Sequence, residues 1–430
     1  MLCGKLWAPV FIGAFFAFLF LFFGPGEYPD SITYINHYSG REPVYPLFLL
    51  LCKKVSCEGM MLTVACFLQN VFAAFSTYYL WKIIAKSFGL RKFLQIIILF
   101  ILIVPNVLTA FFTQSGIILS NAILSEGLSY SLYLLFCALV ISLIYDRRRR
   151  DIVLAFFVAF IISLTRSQLM PLILAMGVIA MAVCIRGEKR KIIRFVLILV
   201  TVILSFLLRD IGIKSYNLVV NGKFEGLSGD GNAFLTNVLY SADLSKIDEL
   251  ELTKEDLAIL TEISEEMIGR ELNAIYSPNS LIDKILYHES CHDVIKFEVL
   301  DKYDISDETG MAISVLKGNI GRFIETYLFV VIGGFVRSVA ILSPVFLIYT
   351  FVFFASYVGL IVGCYRKKRV LEAHLGMVML LLLLANVSAT SLTIMCLSRY
   401  MIYNTSMLYI SFLIMALSLF FKRKENTINE

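Results

Sequence analysis

Residues 6–24 read LWAPVFIGAFFAFLFLFFG, a continuous apolar run without a charged side chain. A helix of about 20 such residues crosses the hydrocarbon core of a bilayer. Of the 430 residues, 59% are hydrophobic and 17% are charged, whereas soluble domains have about 45–50% apolar and about 25% charged residues. A single water-facing core cannot bury that much apolar surface. The composition therefore excludes a soluble enzyme, a disordered chain and a fibrous protein, and it indicates a polytopic membrane protein.

Runs of this kind recur along the chain, and about ten of them are candidate spans. They lie at residues 6–24, 58–81, 93–113, 117–145, 152–165, 169–185, 192–208, 338–363, 373–395 and 403–421. The runs are continuous and lack the alternation that marks the strands of a membrane β-barrel. We therefore expect an all-α, polytopic helical membrane protein with about ten transmembrane helices.

Lysines and arginines near the ends of the runs predict the orientation, since cytoplasmic loops carry an excess of them. With the N-terminus inside, about 21 positive residues fall on the cytoplasmic side and about five fall in the short outer loops. Both termini are therefore expected in the cytoplasm. No small-residue cleavage pattern follows the first run, so we expect this run to be retained as an anchor.

One stretch, residues 209–337, is polar and acidic, with about 12 Lys or Arg against 22 Asp or Glu. It follows a span that leads outward, so we expect an extracytoplasmic insertion. Residues 252–273 have helical apolar spacing, and Thr253 with Asp256 fits a capping box. Residues 318–336 mix aromatic and charged side chains, as in a helix that lies along the membrane interface.

Three regions are therefore predicted along the chain. Residues 1–208 hold the N-terminal transmembrane helices and a first outer loop at 25–57. Residues 209–337 form the mainly helical insertion, which ends in the interfacial helix. Residues 338–430 hold the C-terminal transmembrane helices.

Charged residues near the outer ends of the spans are the candidates for chemistry. The first outer loop carries Glu27 and Asp30, and Glu126 lies near the outer end of an apolar span, where a carboxylate is costly and by default functional. Arg166 lies in a tight outer turn and Arg399 at an outer span end. An ordinary polar loop with an aromatic belt, or arginines that reach lipid headgroups, would explain each residue alone. Together they favour a site for a phosphate carried on a lipid.

The order of several short motifs resembles bacterial membrane glycosyltransferases of the GT-C superfamily, over nearly all of the spans. The motifs are Asp30-Ser-x-x-Tyr34, Arg41-Glu-Pro-x-Tyr-Pro46, Phe67-Leu-Gln69, Leu124-Ser-Glu126, Thr165-Arg166 and Ser398-Arg-Tyr400. The resemblance implies transfer of a sugar from a polyprenyl-phosphate-linked donor. The acceptor would be a glycan, a glycolipid or a protein on the outer face of a bacterial plasma membrane.

Residue roles follow from the resemblance. It implies that Asp30 is the catalytic base, and a positioned carboxylate that takes the proton of an acceptor hydroxyl contributes about 10²–10⁴-fold. Arginines stabilise the charge that develops on a departing phosphate, and the candidates are Arg166, Arg399 and, as a weaker third, Arg41. Glu126 is expected to orient acceptor hydroxyls or to brace an arginine. Further candidates for substrate binding are Tyr34, Glu27 and Tyr400.

Two features bear on cofactors and partners. Many members of the family have paired acids in the first loop, whereas Glu27 stands three residues from Asp30, which leaves the base assignment open. The outer loops contain no clear Asp-x-Asp cluster, so we expect no obligatory cofactor, although a divalent metal would fit some members of the superfamily. The expected partners are the lipid-linked donor, the acceptor and membrane lipids, and no nucleic acid.

Residues 288–292 read His-Glu-Ser-Cys-His, which is the H-E-x-x-H spacing of zinc peptidases. Asp293 follows the motif directly, and Glu298 and Asp301 offer no distinctive third ligand. An ordinary exposed helix or incidental metal binding is favoured over a peptidase.

Two other functions remain open. A polysaccharide repeat-unit polymerase would rely on arginines more than on a carboxylate base, so Asp30→Asn would then matter less than Arg166→Ala or Arg399→Ala. A transporter is least favoured, because such proteins commonly have broken helices at matching positions of two halves, and Pro105 and Pro171 are not so related.

Overall fold

The structure is a computed structural model that describes residues 3–57, 59–112, 116–146, 148–184, 191–228, 230–250, 252–305 and 307–420. Of these residues 82% are helical and none lies in a strand. Gly26 and Ala122 form one isolated bridge. The prediction of an all-α fold is confirmed.

Helices account for most of the described residues. They are α1 (Cys3–Phe23), α2 (Ser31–Ile35), α3 (Val44–Val55), α4 (Met61–Ser87), α5 (Lys92–Ile103), α6 (Pro105–Phe112), α7 (Ser125–Asp146), α8 (Arg149–Ser163), α9 (Pro171–Cys184), α10 (Lys191–Asn221), α11 (Asp230–Ser241), α12 (Lys254–Gly269), α13 (Leu281–Val294), α14 (Glu308–Val339), α15 (Pro344–Arg366), α16 (Val370–Thr393) and α17 (Ser398–Phe420). A short 3₁₀ turn precedes α7 at Leu119–Asn121, and another joins α8 to α9 at Ser167–Leu169.

Eight of the described helices are long and apolar enough to cross a membrane: α1, α4, α7, α10, α14, α15, α16 and α17. A ninth span results if α5 and α6, which meet at a bend of 44°, are taken together. The sequence suggested about ten, because it also included α8 and α9 and did not include α14. These helices have only 15 and 14 residues. A polytopic helical protein is therefore confirmed, and eight or nine candidate spans occur among the described helices by length and composition.

Composition explains how the helices are placed. The window of α7 that fits a span is 78% buried, so α7 is a central helix that packs against α4 and α8. The window of α10 is only 11% buried, although it has the highest mean hydropathy of the eight, at 2.5. Apolar side chains that find no protein partner are stable when they face lipid, and a helix that is apolar on all sides is typical of this environment.

The chain divides into two units. The first comprises Met1–Gly226, Phe351–Asn386 and Ile402–Glu430, and the second comprises Leu227–Thr350 and Val387–Met401. The second unit contains α11 to α14, and α12 begins as predicted, since Thr253 Oγ1 accepts a hydrogen bond from the Asp256 amide. Two helices differ from the sequence-based organisation. Helix α10 continues to Asn221, beyond the expected boundary at residue 208, and α14 passes the length and hydropathy test for a span.

Candidate functional site

The first outer loop is fixed to the segment that precedes α7. Gly24 follows α1 with φ +63°, in the left-handed region that favours glycine. The chain then pairs with the 3₁₀ turn, because the Gly26 amide donates to the Asn121 carbonyl at 2.9 Å and the Ile123 amide donates to the Gly26 carbonyl at 2.9 Å. The side-chain Nδ2 of Asn121 also donates to the Gly24 carbonyl at 2.7 Å. The loop is thereby held next to the start of α7.

Asp30, which immediately precedes α2, is ion-paired with Arg41. Arg41 Nη2 lies 2.8 Å from Asp30 Oδ1, and Arg41 Nε donates to Thr33 Oγ1 at 2.7 Å. The guanidinium group lies 4.6 Å from the centre of the Tyr34 ring, in a cation–π contact. The Asp30 side chain is 39% exposed and that of Arg41 is 26% exposed, so this end of the site is open to solvent or to a substrate.

Tyr34 connects this pair to α7. Its hydroxyl lies 2.9 Å from Ser125 Oγ and 3.5 Å from Arg41 Nη1. The Tyr34 ring packs edge-on against Tyr45, with 5.1 Å between the ring centres. Burial raises the pKa of Tyr34 well above its usual value near 10, so the phenol stays neutral and can both donate and accept. Tyr45 in turn donates to Gln69 Oε1 at 2.9 Å, which places the Gln69 of the sequence motif behind the site.

Glu126 and Arg166 form the inner end of the site. Arg166, in the turn after α8, brings Nη1 to within 2.6 Å of Glu126 Oε2, and the two side chains are 11% and 4% exposed respectively. The same Nη1 donates to Ser125 Oγ at 3.2 Å. Glu126 lies in the first turn of α7, where the positive end of the helix dipole stabilises a carboxylate. One continuous series of polar contacts therefore runs from Asp30 through Arg41, Tyr34 and Ser125 to the Arg166–Glu126 pair.

Two further charged residues, which sequence reasoning did not select, reach the turn that bears Arg166. Arg209 of α10 donates from Nη2 to Ser167 Oγ at 2.6 Å and from Nε to the Ser163 carbonyl at 3.3 Å. Glu42, directly after Arg41, accepts from the Ser167 amide. A signal was present for Arg209, since it is the first charge after a long apolar run. In the sequence alone, Arg209 marks only where the polar insertion begins.

The other predicted site residues are placed differently. Glu27 is exposed and has no hydrogen bond or ion pair with another described residue. Arg399 and Tyr400 belong to the second unit, where Arg399 Nη2 donates to the Tyr400 hydroxyl at 2.8 Å and the guanidinium lies 4.9 Å from the ring centre. The first unit thus brings together Asp30, Tyr34, Arg41, Glu126 and Arg166. The convergence of Arg399 and Tyr400 on this set stays a prediction.

The chemistry that the site can perform follows from its charged groups. These are three arginines and three carboxylates: Arg41, Arg166, Arg209, Asp30, Glu42 and Glu126. The arginines can bind a phosphate through several charge-assisted hydrogen bonds, and the partly exposed Asp30 can accept a proton from a hydroxyl group. As for metals, no cluster of three or more His, Cys, Asp or Glu side chains suited to an ion occurs within the part of the chain that the structure describes.

The His-Glu-Ser-Cys-His motif lies on α13 in the second unit. His288 and His292 are both buried, so the interpretation as an exposed helix was wrong: the motif is amphipathic, and its histidines face inward. His288 Nε2 lies 2.9 Å from Asn237 Oδ1 of α11. Glu289 is ion-paired with Arg337, with Nη2 2.9 Å from Oε2. A carboxylate in such a pair does not face an open metal position as the general base of a zinc peptidase would.

Comparison of the chain with protein-family models, with curated proteins and with solved structures found no match.

Proposed function

We propose that this protein is a GT-C-type membrane glycosyltransferase that transfers a sugar from a polyprenyl-phosphate-linked donor to a glycan, glycolipid or protein acceptor. The observation that supports it most is the polar series from the partly exposed Asp30 to the buried Arg166–Glu126 pair. It combines a carboxylate that a hydroxyl acceptor can reach with arginines suited to a phosphate. The enzyme would act on the outer face of a bacterial plasma membrane, with both termini cytoplasmic and residues 209–337 outside. In this orientation α14 lies along the membrane interface and does not cross the bilayer.

In the proposed reaction the acceptor hydroxyl attacks the anomeric carbon of the donor sugar. Asp30 takes the hydroxyl proton as the new glycosidic bond forms. The bond between the anomeric carbon and the phosphate oxygen breaks, and the lipid phosphate leaves with the bonding electrons. Its added negative charge is stabilised by arginines that are already held in place.

The arginines are assigned from their contacts. Arg41 holds the Asp30 carboxylate in one orientation through the 2.8 Å ion pair. Arg166 is the main phosphate ligand of the first unit, and Glu126 braces its guanidinium group. Arg209, which reaches the same turn, is an additional cation. Arg399, which donates to Tyr400 in the second unit, is the remaining candidate ligand for the donor phosphate, and Tyr34 and Glu27 would contact the substrates.

A repeat-unit polymerase is the second candidate. The observation that favours it is that Arg209 of α10 reaches the turn at residues 163–167, which bears Arg166. An arginine-based site of this kind could join lipid-linked oligosaccharides without a carboxylate base. The two functions therefore differ in whether activity depends more on Asp30 or on the arginines.

The test is a transfer assay with purified protein, polyprenyl-phosphoryl sugars and candidate acceptors. Asp30→Asn is expected to lower the rate by about 10²–10⁴-fold, the range for loss of a positioned general base. Asp243→Asn is the matched control, because Asp243 pairs with Arg322 at 2.9 Å on the surface of the second unit. An Asp30→Asn variant with full activity would remove the proposed base. If Arg166→Ala and Arg209→Ala are then inactive on lipid-linked repeat units, the polymerase is the better assignment.

Glu27→Gln is a further arm of the same assay, because the family pattern leaves the base open between two acids. Loss of activity in Glu27→Gln together with an active Asp30→Asn would transfer the role of base to Glu27. Stoichiometric zinc in the purified protein, combined with loss of activity in His288→Ala, would contradict the glycosyltransferase as a whole.

A further inference from the structure

An almost fully buried ion pair joins three segments of the second unit. Arg337, near the end of α14, contacts the Glu289 carboxylate of α13 through both Nη1 and Nη2. Its Nη1 also donates to the Cys396 carbonyl at 3.0 Å, in the turn between α16 and α17. The Arg337 and Glu289 side chains are only 7% and 13% exposed. The guanidinium group therefore connects two helices and one backbone carbonyl.

The Cys396 carbonyl, which accepts the hydrogen bond from Arg337, lies three residues before Arg399. The Leu397 carbonyl accepts from the Tyr400 amide at 2.9 Å and from the Met401 amide at 3.1 Å, and so begins α17. Arg399 therefore lies in the first turn of α17, directly after the anchored turn. A cation at the positive end of a helix dipole is unfavourable, so an external anchor helps to hold Arg399 there.

Close packing fixes the same turn from a second direction. A Cβ on Gly334, one helical turn before Arg337, would lie 2.8 Å from Val387 Cγ1 and 3.0 Å from Cys396 Sγ. Helix α14 can approach the turn this closely only because residue 334 has no side chain. The thiol of Cys396 lies 3.1 Å from Ser391 Oγ. The turn is thus held by packing at Cys396 and by the charged hydrogen bond from Arg337.

We propose that Arg337 is a positioning residue that fixes the turn before α17, so that Arg399 is presented to the donor phosphate, with Glu289 as the counter-ion of Arg337. The identity of the anion rests on the proposed function, whereas the anchoring of the turn does not. A buried ion pair often contributes little net stability, and in some proteins its role is to impose a specific arrangement. In this role Glu289, the acid of the H-E-x-x-H motif, is a structural counter-charge.

The first readout concerns the turn itself. Cys396 is 1% exposed, and burial raises the pKa of its thiol to about 12, so we expect it to react slowly with a maleimide in the folded protein. Arg337→Met is expected to raise the alkylation rate of Cys396 at least tenfold. The buried Cys364 of the first unit is the internal reference and should keep its rate. Arg270→Met, which breaks an exposed pair with Glu266, is the matched control variant and should leave Cys396 protected.

The second readout concerns the donor. Arg337→Met should raise the KM for the polyprenyl-phosphoryl sugar about tenfold or more and change kcat less. Arg337→Lys, which keeps the charge and one donor to the carbonyl, should recover part of the loss. In an Arg399→Gln background, Arg337→Met should add less than a twofold change, because it acts through Arg399.

Arg337→Met leaves Glu289 buried and charged, which threatens folding. The double variant Glu289→Gln/Arg337→Met has no lone buried charge and serves if the single variant does not fold. It should show the same exposure of Cys396 and the same change in KM.

Two results would overturn the proposal. The first is an unchanged alkylation rate of Cys396 in the folded Arg337 variants, which would show that Arg337 does not hold the turn. The second is a double variant whose change in KM equals the product of the changes in Arg337→Met and Arg399→Gln. This would show that Arg337 does not act through Arg399. If the wild-type protein transfers no sugar at all, the proposed function fails. The alkylation of Cys396 and the binding of polyprenyl phosphate by the same variants then still decide whether Arg337 positions the turn.

Discussion

Arg166 Nη1 lies 2.6 Å from Glu126 Oε2, at the inner end of the polar series that begins at Asp30. Both groups are nearly withdrawn from solvent, so the pair is costly to form but far more costly to break from one side. A lone buried charge has no water to replace the lost partner. The pair is therefore expected to fix the geometry of the site more than to add net stability.

Removal of one partner should reveal this asymmetry. Arg166→Met is expected to lower the free energy of unfolding by about 3–5 kcal/mol, because Glu126 is left buried and charged. The double variant Glu126→Gln/Arg166→Met should regain most of that stability but no transfer activity. The measurement is the thermal midpoint in detergent together with the transfer assay. Arg148→Met is the control, since its pair with Asp146 is more exposed and worth about 0–1 kcal/mol. A double variant no more stable than Arg166→Met would contradict the argument.

Tyr34 should matter through its hydroxyl group alone. Tyr34→Phe removes the contacts to Ser125 and Arg41 and keeps the ring under the guanidinium, so a decrease in kcat/KM of roughly 10-fold is expected, equivalent to about 1.4 kcal/mol, the scale of one buried hydrogen bond. Since burial raises the pKa of Tyr34 above its usual value, the wild-type rate should show no loss from phenol ionisation up to about pH 10. The comparison is Tyr45→Phe, whose hydroxyl binds Gln69. Equal losses in both variants would indicate a general packing effect.

Gly127 tests how closely the start of α7 must be packed. A Cβ at this position would lie 2.2 Å from Gln69 Nε2, 2.9 Å from the Ala122 carbonyl oxygen and 3.0 Å from that of Leu119. Two of these three atoms belong to the backbone and cannot move aside, so Gly127→Ala should displace the first turn of α7 and with it Glu126. We expect a loss of about 1–3 kcal/mol, as for other overpacked sites, and a large loss of activity. Gly212→Ala is the control in α10, where the nearest atom would be 3.8 Å away. Similar thermal midpoints for the two variants would contradict the prediction.

The sequence was sufficient to predict charged residues at the ends of apolar spans and within one short outer loop. Glu126 and Arg166 could be predicted because a charged side chain at the end of an apolar span is energetically costly unless it has a function or a partner. In the structure the two side chains are paired with each other. Asp30, Tyr34 and Arg41 were found within one short loop, and local chain geometry brings them into contact.

Residues whose role depends on distant partners could not be found in this way. Arg209 follows an apolar run, and hydropathy alone could not show that α10 continues to Asn221 and turns this side chain toward Ser167. In the sequence, Arg337 marks only the end of the polar insertion, because its partners Glu289 and Cys396 are 48 and 59 residues away. The inward orientation of His288 likewise depends on α11, which supplies Asn237.

His288 gives a prediction on pH. Burial, with a smaller contribution from His292, lowers the pKa of His288 to about 3, whereas an imidazole in the unfolded chain titrates near 6.5. Between these values the unfolded state binds the additional proton, so stability falls as the pH is lowered, by up to about 1.4 kcal/mol per pH unit. His288→Gln, which keeps a hydrogen-bonding group near Asn237 and does not titrate, should flatten the decrease in the thermal midpoint between about pH 6 and pH 4. Ser290→Ala, on the exposed face of the same helix, should follow the wild-type curve. Parallel curves for wild type and His288→Gln would mean that His288 is not held neutral in the folded protein.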